Sequence, residues 1–438
     1  MKKNDGYELW KKSLKIIPGG NGLLSKRPER YANQKWPTYF EEAKGITLVD
    51  LSGNSWKDFA QMALGSAILG YNNKEVNKYV NTFINKGINT TLNCPEEYQL
   101  AKILISNNPF AKYVRFSRSG GEAMSIAVRI ARAQSGKSEL AFSGYHGWHD
   151  WYIASNLTNK KALNDHLLPG LKTKGVPSEL KNTAFPFKYN SVSELKKVLI
   201  NNEKIKIIII EGARKDIINE EMALYLTKLQ KEKNFIIIID EITSGLRTST
   251  SGAYKISKLT PNIVIYGKAL GNGFAINAIV GDEVMDQSQD TFISSSFHTE
   301  RVGFVAAIKT LEIIKREKLW KHLNLMGKKL IMSFNNLANS NDLSILTNNF
   351  RPLPSFEFQY GKKNNEYLTY FIQELLKESI LGWNSIYLSM SHSDKEIDRY
   401  LKIVEKIFIN LSKIVRSRTS HSNFLEIPII DPGFKRLT

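Results

Sequence analysis

Six short aliphatic runs constrain this chain more than any other feature: Val114–Phe116, Leu140–Phe142, Ile205–Ile210 (broken by Lys206), Phe235–Ile239, Ile263–Tyr266 and Ala278–Val280. Each is bounded by polar residues. Continuous Ile and Val without alternation fit strands covered on both faces, as in a mainly parallel sheet. Between the runs lie helical stretches such as Glu122–Gln134, where Ala123, Ile126, Ala127, Ile130 and Ala131 recur at helical spacing. Alternation of this kind from about residue 61 to residue 300 predicts a three-layer α/β domain. Residues 1–60 read as an extended lead-in with a turn at Pro18 to Gly20, a basic loop through Lys26, Arg27 and Arg30, and strand-like runs at 46–49 and 56–59. Beyond 300, a helix from Val302 to Leu319 leads into helices and weak strands that predict a smaller α+β domain. The expected division is 1–60, 61–310 and 311–438, the first segment serving the small domain and the site entrance.

Composition narrows the functions open to such a chain. Its 438 residues exceed a single small module, and 42% hydrophobic content is enough for a large core. A lone Cys94 makes no internal disulfide, and no Cys/His spacing resembles a zinc site, so no metal is expected. The aliphatic runs fall far short of the ~20 residues of a membrane helix, and the first twenty residues lack the apolar centre of a signal peptide. A cytoplasmic protein with no membrane partner is expected. Lys and Arg number 61 against 42 Asp and Glu, a net charge of +19. That charge is scattered, and the denser stretches at 228–233 and 315–321 include Glu232 and Glu317. With no RNA-binding sheet signature, basic zipper or zinc finger, no nucleic-acid partner is expected.

Functional groups in open α/β sheets gather at the carboxyl ends of strands. Those positions hold Ser117-Arg118-Ser119-Gly120-Gly121-Glu122, then Gly144-Tyr145-His146-Gly147, then Glu211, Asp240, and Gly267-Lys268. Ser119-Gly120-Gly121 opens a helix, where bare N–H groups and the helix dipole make a phosphate cup; a plain tight turn would look the same. Asp240 closes a buried strand, where a carboxylate needs a partner; an ion pair with a neighbouring base is the plainer reading. Lys268 has small neighbours that permit close approach of a ligand, although a solvated surface lysine is the default in a lysine-rich chain. A phosphate cup, an aromatic at the next strand end, a carboxylate for a pyridinium nitrogen and a lysine for a Schiff base together specify pyridoxal 5′-phosphate. The 28 residues from Asp240 to Lys268 allow one helix and a return strand, which would put them at neighbouring strand ends.

Ordered motifs extend that reading: IPGG at 17–20, LSGN at 51–54, SGGEA at 119–123, YHG at 145–147, DEITSGLR at 240–247, GKALGNG at 267–273, SSSFHTER at 294–301 and SHSDKEID at 391–398. In this set the chain resembles a class III (subgroup II) aminotransferase of the fold-type I pyridoxal-phosphate family, with the layout of the glutamate-1-semialdehyde 2,1-aminomutase group. The resemblance implies a large domain with a mainly parallel seven-stranded sheet between helices, plus a smaller α+β domain. It implies that Lys268 carries the cofactor as a Schiff base and moves the substrate proton, and that Asp240 keeps the ring nitrogen protonated. Ile242 and Tyr145 would cover the two ring faces, and Ser119, Gly120 and Gly121 would hold the phosphate. The family usually has Ser or Thr where Gly121 stands, so one hydroxyl contact is missing. Ser296 would reach the phosphate of a partner subunit, implying a homodimer with shared sites. Glu211 would stand near the cofactor's O3′ side, and His146 would touch the cofactor or brace the loop after Tyr145.

The substrate half departs from that group. Lys26 and Arg27 stand in a shifted register where an Arg reads the substrate carboxylate, Leu64 falls where a Trp is expected, and Asn384 sits near a Glu position. Those few polar contacts set specificity in such pockets. The expectation is a ping-pong aminotransferase with an amino-acid donor, glutamate first among them, and a carbonyl acceptor. The wording of 294–301 and 267–273 resembles members from surface-polysaccharide and sugar biosynthesis, which makes a sugar-derived acceptor the favoured class. An aminomutase or other pyridoxal-phosphate isomerase or lyase, and a basic binding protein on an enzyme fold, are the other readings. The C-terminal residues from Arg416 are expected to form a strand and an extended tail on the small domain.

Overall fold

The computed structural model describes residues 4–417, 420–431 and 433–434. The chain forms two compact units, Met1–Asn73 with Lys321–Thr438, and Lys74–Trp320.

The first unit opens on a helix, Asp5–Ile16, where the sequence suggested extended chain. Asn4 caps it by accepting the Tyr7 N–H at 3.0 Å, Asp5 and Glu8 occupy its first turn, and Trp10 and Ser13 bury its inner face. Mixed charges hid this short amphipathic pattern. A meander follows: β1 (Phe40–Lys44), β2 (Thr47–Asp50) and β3 (Ser55–Phe59), all antiparallel.

The second unit holds a seven-stranded sheet of β4 (Tyr113–Ser117), β5 (Leu140–Ser143), β6 (Ala184–Pro186), β7 (Ile207–Glu211), β8 (Ile236–Glu241), β9 (Ile263–Tyr266) and β10 (Asn277–Gly281). Their order is β4-β10-β9-β8-β7-β5-β6, and β10 alone runs antiparallel to its neighbours. All six aliphatic runs became strands. The seventh, β6, is an edge strand of three residues ending in Pro186, a signal too short and too broken to read from pattern. Ile207 to Ile210 and Ile237 to Ile239 are fully buried. Burial of each such side chain contributes about 1.5–3 kcal/mol. The helix expected at Glu122–Gln134 runs Gly120–Ser135, and that expected at Val302–Leu319 runs Arg301–Glu317, stopping at Lys318 with φ +50°.

The chain completes the first unit with β11 (Ile345–Thr347) paired to β12 (Phe356–Phe358), the helix Asn364–Lys377, β13 (Ile380–Gly382) parallel to β3, and the helix Asp394–Ser417. Among the described residues after 417 there is no strand, contrary to the sequence expectation. Instead the tail lies extended on the helix Asn364–Lys377. Gln373 exchanges hydrogen bonds with the Phe424 carbonyl (3.1 Å) and the Glu426 N–H (2.6 Å), and Thr369 Oγ1 accepts the Ile430 N–H. Side chains take the backbone groups that a ladder would otherwise need. No helix of the described residues is long and apolar enough to cross a membrane.

Candidate active site

Strand register brings the candidate groups to one edge of the large sheet. Glu211 pairs with Asp240 across β7 and β8, and Glu241 pairs with Tyr266 across β8 and β9. Lys268 lies two residues beyond Tyr266, and Tyr145 two beyond Ser143, which pairs with Ile210. Asp240 and Lys268 therefore stand at neighbouring strand ends, and Glu211 and the Tyr145 loop follow on the next two.

Asp240 is 4% exposed and fully engaged. Its Oδ1 accepts the Ile242 N–H at 2.9 Å, and its Oδ2 lies 2.8 Å from His146 Nδ1. The other ring nitrogen of His146, itself buried, is 3.2 Å from the Ser143 carbonyl. A carboxylate taken out of water needs such a partner. Neighbouring Glu241, completely buried, has its carboxyl pushed up to about 7 by burial, against hydrogen bonds from Ser244 (2.5 Å) and the Tyr254 N–H (2.8 Å). Glu211 is 5% exposed; its Oε2 takes the Tyr145 N–H at 3.4 Å and lies 3.4 Å from Arg214 Nη1. The Tyr145 phenol is held above its usual range by burial, then by the charges of Asp240 and Glu211. Burial, with His146 close by, lowers His166 to about 4; its neutral Nδ1 accepts the Gly144 N–H at 3.2 Å, setting the Tyr145 loop. Gly144 (φ +117°) is needed there, because a Cβ would stand 2.3 Å from Glu211 Oε2.

The Ser119–Gly121 turn is built as a cradle. Ser119 is the N-cap of the helix Gly120–Ser135, in a capping box with Glu122. By the geometry of a first turn, the N–H groups of Gly120 and Gly121 have no intrahelical acceptor. A Cβ on Gly120 would meet Ile242 at 3.1 Å, and one on Gly121 would meet His149 at 2.8 Å. Bare backbone N–H groups at the positive end of a helix, with Ile242 alongside, fit a phosphate. Lys268 has φ +40°, a strained conformation for a lysine, and its Nζ donates to Thr243 Oγ1 at 2.6 Å.

Sequence reasoning passed over several residues that shape this edge. Thr243 is one. Arg118 is another: its Nε donates to the Phe297 carbonyl, Nη1 to Ala275 O (3.1 Å), and Nη2 to His298 O (3.0 Å) and Glu300 O (2.6 Å). Glu122 accepts the Arg118 and Ser119 N–H groups and lies 2.9 Å from His298 Nε2; although burial works to raise its carboxyl, these bonds hold it below its usual range. Arg118 and Glu122 thus tie the cradle to the 297–300 segment. Ser296, just before it, is exposed, accepts a hydrogen bond from Asn89 at its carbonyl (3.4 Å), and forms none with the cradle of its own chain among the described residues. An arginine beside a glycine turn, within a run of charged strand ends, was the signal available for Arg118.

The substrate-side candidates lie in the first unit. Lys26 ends a short 3₁₀ turn, exposed; Arg27 is half-buried, its guanidinium against the backbone of Gly19 (φ +75°), and its Nε has no hydrogen-bond partner. Asn384 is half-buried and accepts the Phe356 N–H at its carbonyl (2.9 Å). Tyr31 joins the two loops, donating to the Ser25 carbonyl (2.8 Å) and standing edge-on to Trp383 at 5.0 Å. Leu64 belongs to a run of three positive-φ residues, Met62, Ala63 and Leu64 (42°, 53° and 57°). Buried Asp58 ties that turn down by accepting the N–H groups of Ala60, Gln61 and Met62 and the Tyr71 hydroxyl.

A mainly parallel α/β sheet with this lysine, paired aspartate and glycine cradle at one edge defines a pyridoxal-phosphate-dependent transferase of fold type I. Residues 30–407 match the family Aminotransferase class-III, and the chain belongs to it. It is 28% identical over 425 residues to a 3-aminobutyryl-CoA aminotransferase of Cloacimonas acidaminovorans, covering 93% of this chain and 97% of that one. It is also 28% identical over 437 residues to a glutamate-1-semialdehyde 2,1-aminomutase of Methanocaldococcus jannaschii, covering 94% and 99%. In fold it matches the FumI protein of Sphingopyxis sp. MTA144, solved in a PLP internal aldimine form, with a TM-score of 0.84 over 96% of this chain and 99% of that one at 20% identity. Pyridoxal 5′-phosphate is the family's cofactor, and the residues at this edge fit it.

Proposed function

We propose that the protein is a transaminase that takes an amino group from an amino acid, glutamate first among donors, and passes it to a carbonyl acceptor of the sugar-derived class. The observation that carries the reading is the alignment of Lys268 with the buried Asp240–His146 pair across adjacent strands. Lys268 would bind the cofactor, and its amine, once released, would carry the proton to and from the substrate carbon. Asp240, fixed by His146 and the Ile242 N–H, would hold the ring nitrogen's proton. Tyr145 and Ile242 would cover the ring, Glu211 would flank its O3′ side, and the N–H groups of Gly120 and Gly121 with the Ser119 hydroxyl would take the phosphate. The cofactor itself supplies an electron sink for the carbanion formed when the proton leaves. His146 is assigned to positioning, since both its nitrogens already face protein acceptors.

Amino transfer between two substrates is supported by the changes at the substrate-side positions, Leu64, Asn384 and the shifted Lys26-Arg27, together with the aminotransferase among the relatives. Aminomutase relatives favour the second reading, in which one molecule is both donor and acceptor. A homodimer with shared sites is supported by apolar side chains left exposed around Ser296: Ile88, Leu92 and Phe297 are 44%, 81% and 62% exposed. Contacts from Arg301 to the Ile88 carbonyl and from Asn89 to Ser296 hold the two segments together. The test is a scan of amino acids against the loaded enzyme, followed by analysis of products with sugar-derived carbonyl acceptors. Bleaching by glutamate with an aminated acceptor supports the proposal. Conversion of glutamate-1-semialdehyde to 5-aminolevulinate without any second substrate overturns it in favour of the aminomutase.

A further inference from the structure

We propose that Thr243 is the positioning residue for the Lys268 amine, an inference that rests on Lys268 being the lysine that bears the cofactor. The register of β8 and β9 explains why these residues meet. Glu241 and Tyr266 are the last paired positions, and Thr243 and Lys268 each lie two residues further along their own strand. Both backbones are pinned there. Arg247, fully buried, donates from Nε to the Thr243 carbonyl at 2.7 Å, Ser244 is fixed on Glu241, and the Gly245 N–H bonds the Glu241 carbonyl at 2.8 Å. Opposite, Gly267 has no room for a side chain, since a Cβ would fall 2.0 Å from Asn277 Oδ1, and Lys268 follows at φ +40°.

The Thr243 hydroxyl does not serve its own backbone. Thr227, Thr291 and Thr369 each donate to the carbonyl four residues earlier, the usual local bond of a threonine. Thr243 instead meets Lys268 Nζ at 2.6 Å. A hydroxyl is suited to this amine where a carboxylate is not. It accepts from an ammonium and donates to a neutral amine, so it holds the nitrogen in place through both protonation states without fixing a charge on it. A Schiff-base lysine needs both states, because it attacks as the neutral amine and carries a proton after release. Thr243 thus sets where the amine waits before the cofactor arrives and where it returns when a substrate displaces it.

The test follows the growth of the lysine-bound cofactor's absorbance after pyridoxal 5′-phosphate is added to cofactor-free protein, in wild type, Thr243→Val, Thr243→Ser and Lys268→Ala. Loss of one hydrogen bond to the attacking nitrogen is expected to slow band formation in Thr243→Val by about tenfold, while Thr243→Ser, which keeps the hydroxyl, stays within about twofold of wild type. Melting temperatures of both Thr243 variants are expected to match wild type, which separates positioning from folding. Band formation in Thr243→Val at the wild-type rate overturns the inference, and so does a Thr243→Ser as slow as Thr243→Val. A band in Lys268→Ala would overturn the underlying assignment of the lysine, a failure distinguishable from that of Thr243.

Discussion

The strand-end edge of the Lys74–Trp320 unit and the loop at 19–33 of the other unit differ in how their carboxylates are met. At the strand ends every carboxylate has its partners: Asp240 has His146 and a backbone N–H, Glu241 has Ser244 and Tyr254, and Glu211 has Tyr145 and Arg214. In the other unit's loops, Arg27 Nε, Glu29 Oε2 and Asn33 Oδ1 are buried without a hydrogen-bond partner and three successive residues hold positive φ, while the strand-end edge keeps Ser143 Oγ without a partner and Lys268 at φ +40°. Unsatisfied groups and strain persist where something other than the fold requires them. On the proposed function, the satisfied carboxylates suit an edge that holds a cofactor, and the unpartnered groups at 27–33 suit a loop completed by a bound substrate.

That contrast can be broken at several points. On the proposed role of Lys268, its replacement by Ala removes the nucleophile and the proton carrier together; turnover is expected to fall by at least roughly 10²–10⁴-fold with loss of the visible-edge band, read by steady-state kinetics and absorbance. Asp240→Ala strands His146 in the interior, and breaking such a pair is expected to cost about 3 kcal/mol in denaturant unfolding besides slowing proton removal. Unchanged stability would mean the pair is not buried as described. For Glu241 the sign follows from its pKa, raised by burial from an ordinary 4.5 to about 7. Between those values the folded state holds a proton that the unfolded state has lost, so stability is greatest below about pH 4.5 and declines as pH rises to about 7. The decline should amount to about 3 kcal/mol. Glu241→Gln is expected to flatten that slope, its amide facing Ser244, whose hydroxyl turns to accept; urea titrations across the pH range check this. Smallest in effect, Arg27→Ala is expected to leave the band and the melting temperature in place while raising the acceptor KM about tenfold. A lost band there would erase the distinction between the two regions.

Much of the cofactor edge was legible because buried parallel strands announce themselves as Ile/Val runs, and the residue after each run falls at the same edge. Asp240, Glu211 and Lys268 could be placed that way without any coordinates. Thr243 was not, because its role depends on how far β8 and β9 continue in register past their last paired residues. Arg118 was not, because its partners are carbonyls of the 275–300 region, and backbone acceptors leave no trace in sequence. The helix Asp5–Ile16 was hidden by charges on its outer face. The short strand β6 carries too few residues for a periodic signal, and the tail's hydrogen bonds to Gln373 and Thr369 stand in place of the strand expected there.

Lys268 alone is proposed to carry the cofactor, in a chain with many other lysines. The most direct measurement is borohydride reduction of the pyridoxal 5′-phosphate-loaded protein followed by peptide mapping by mass spectrometry. A single stoichiometric modification is expected within the GKALGNG peptide, at Lys268. Modification spread over surface lysines, or concentrated on any other one, would contradict it.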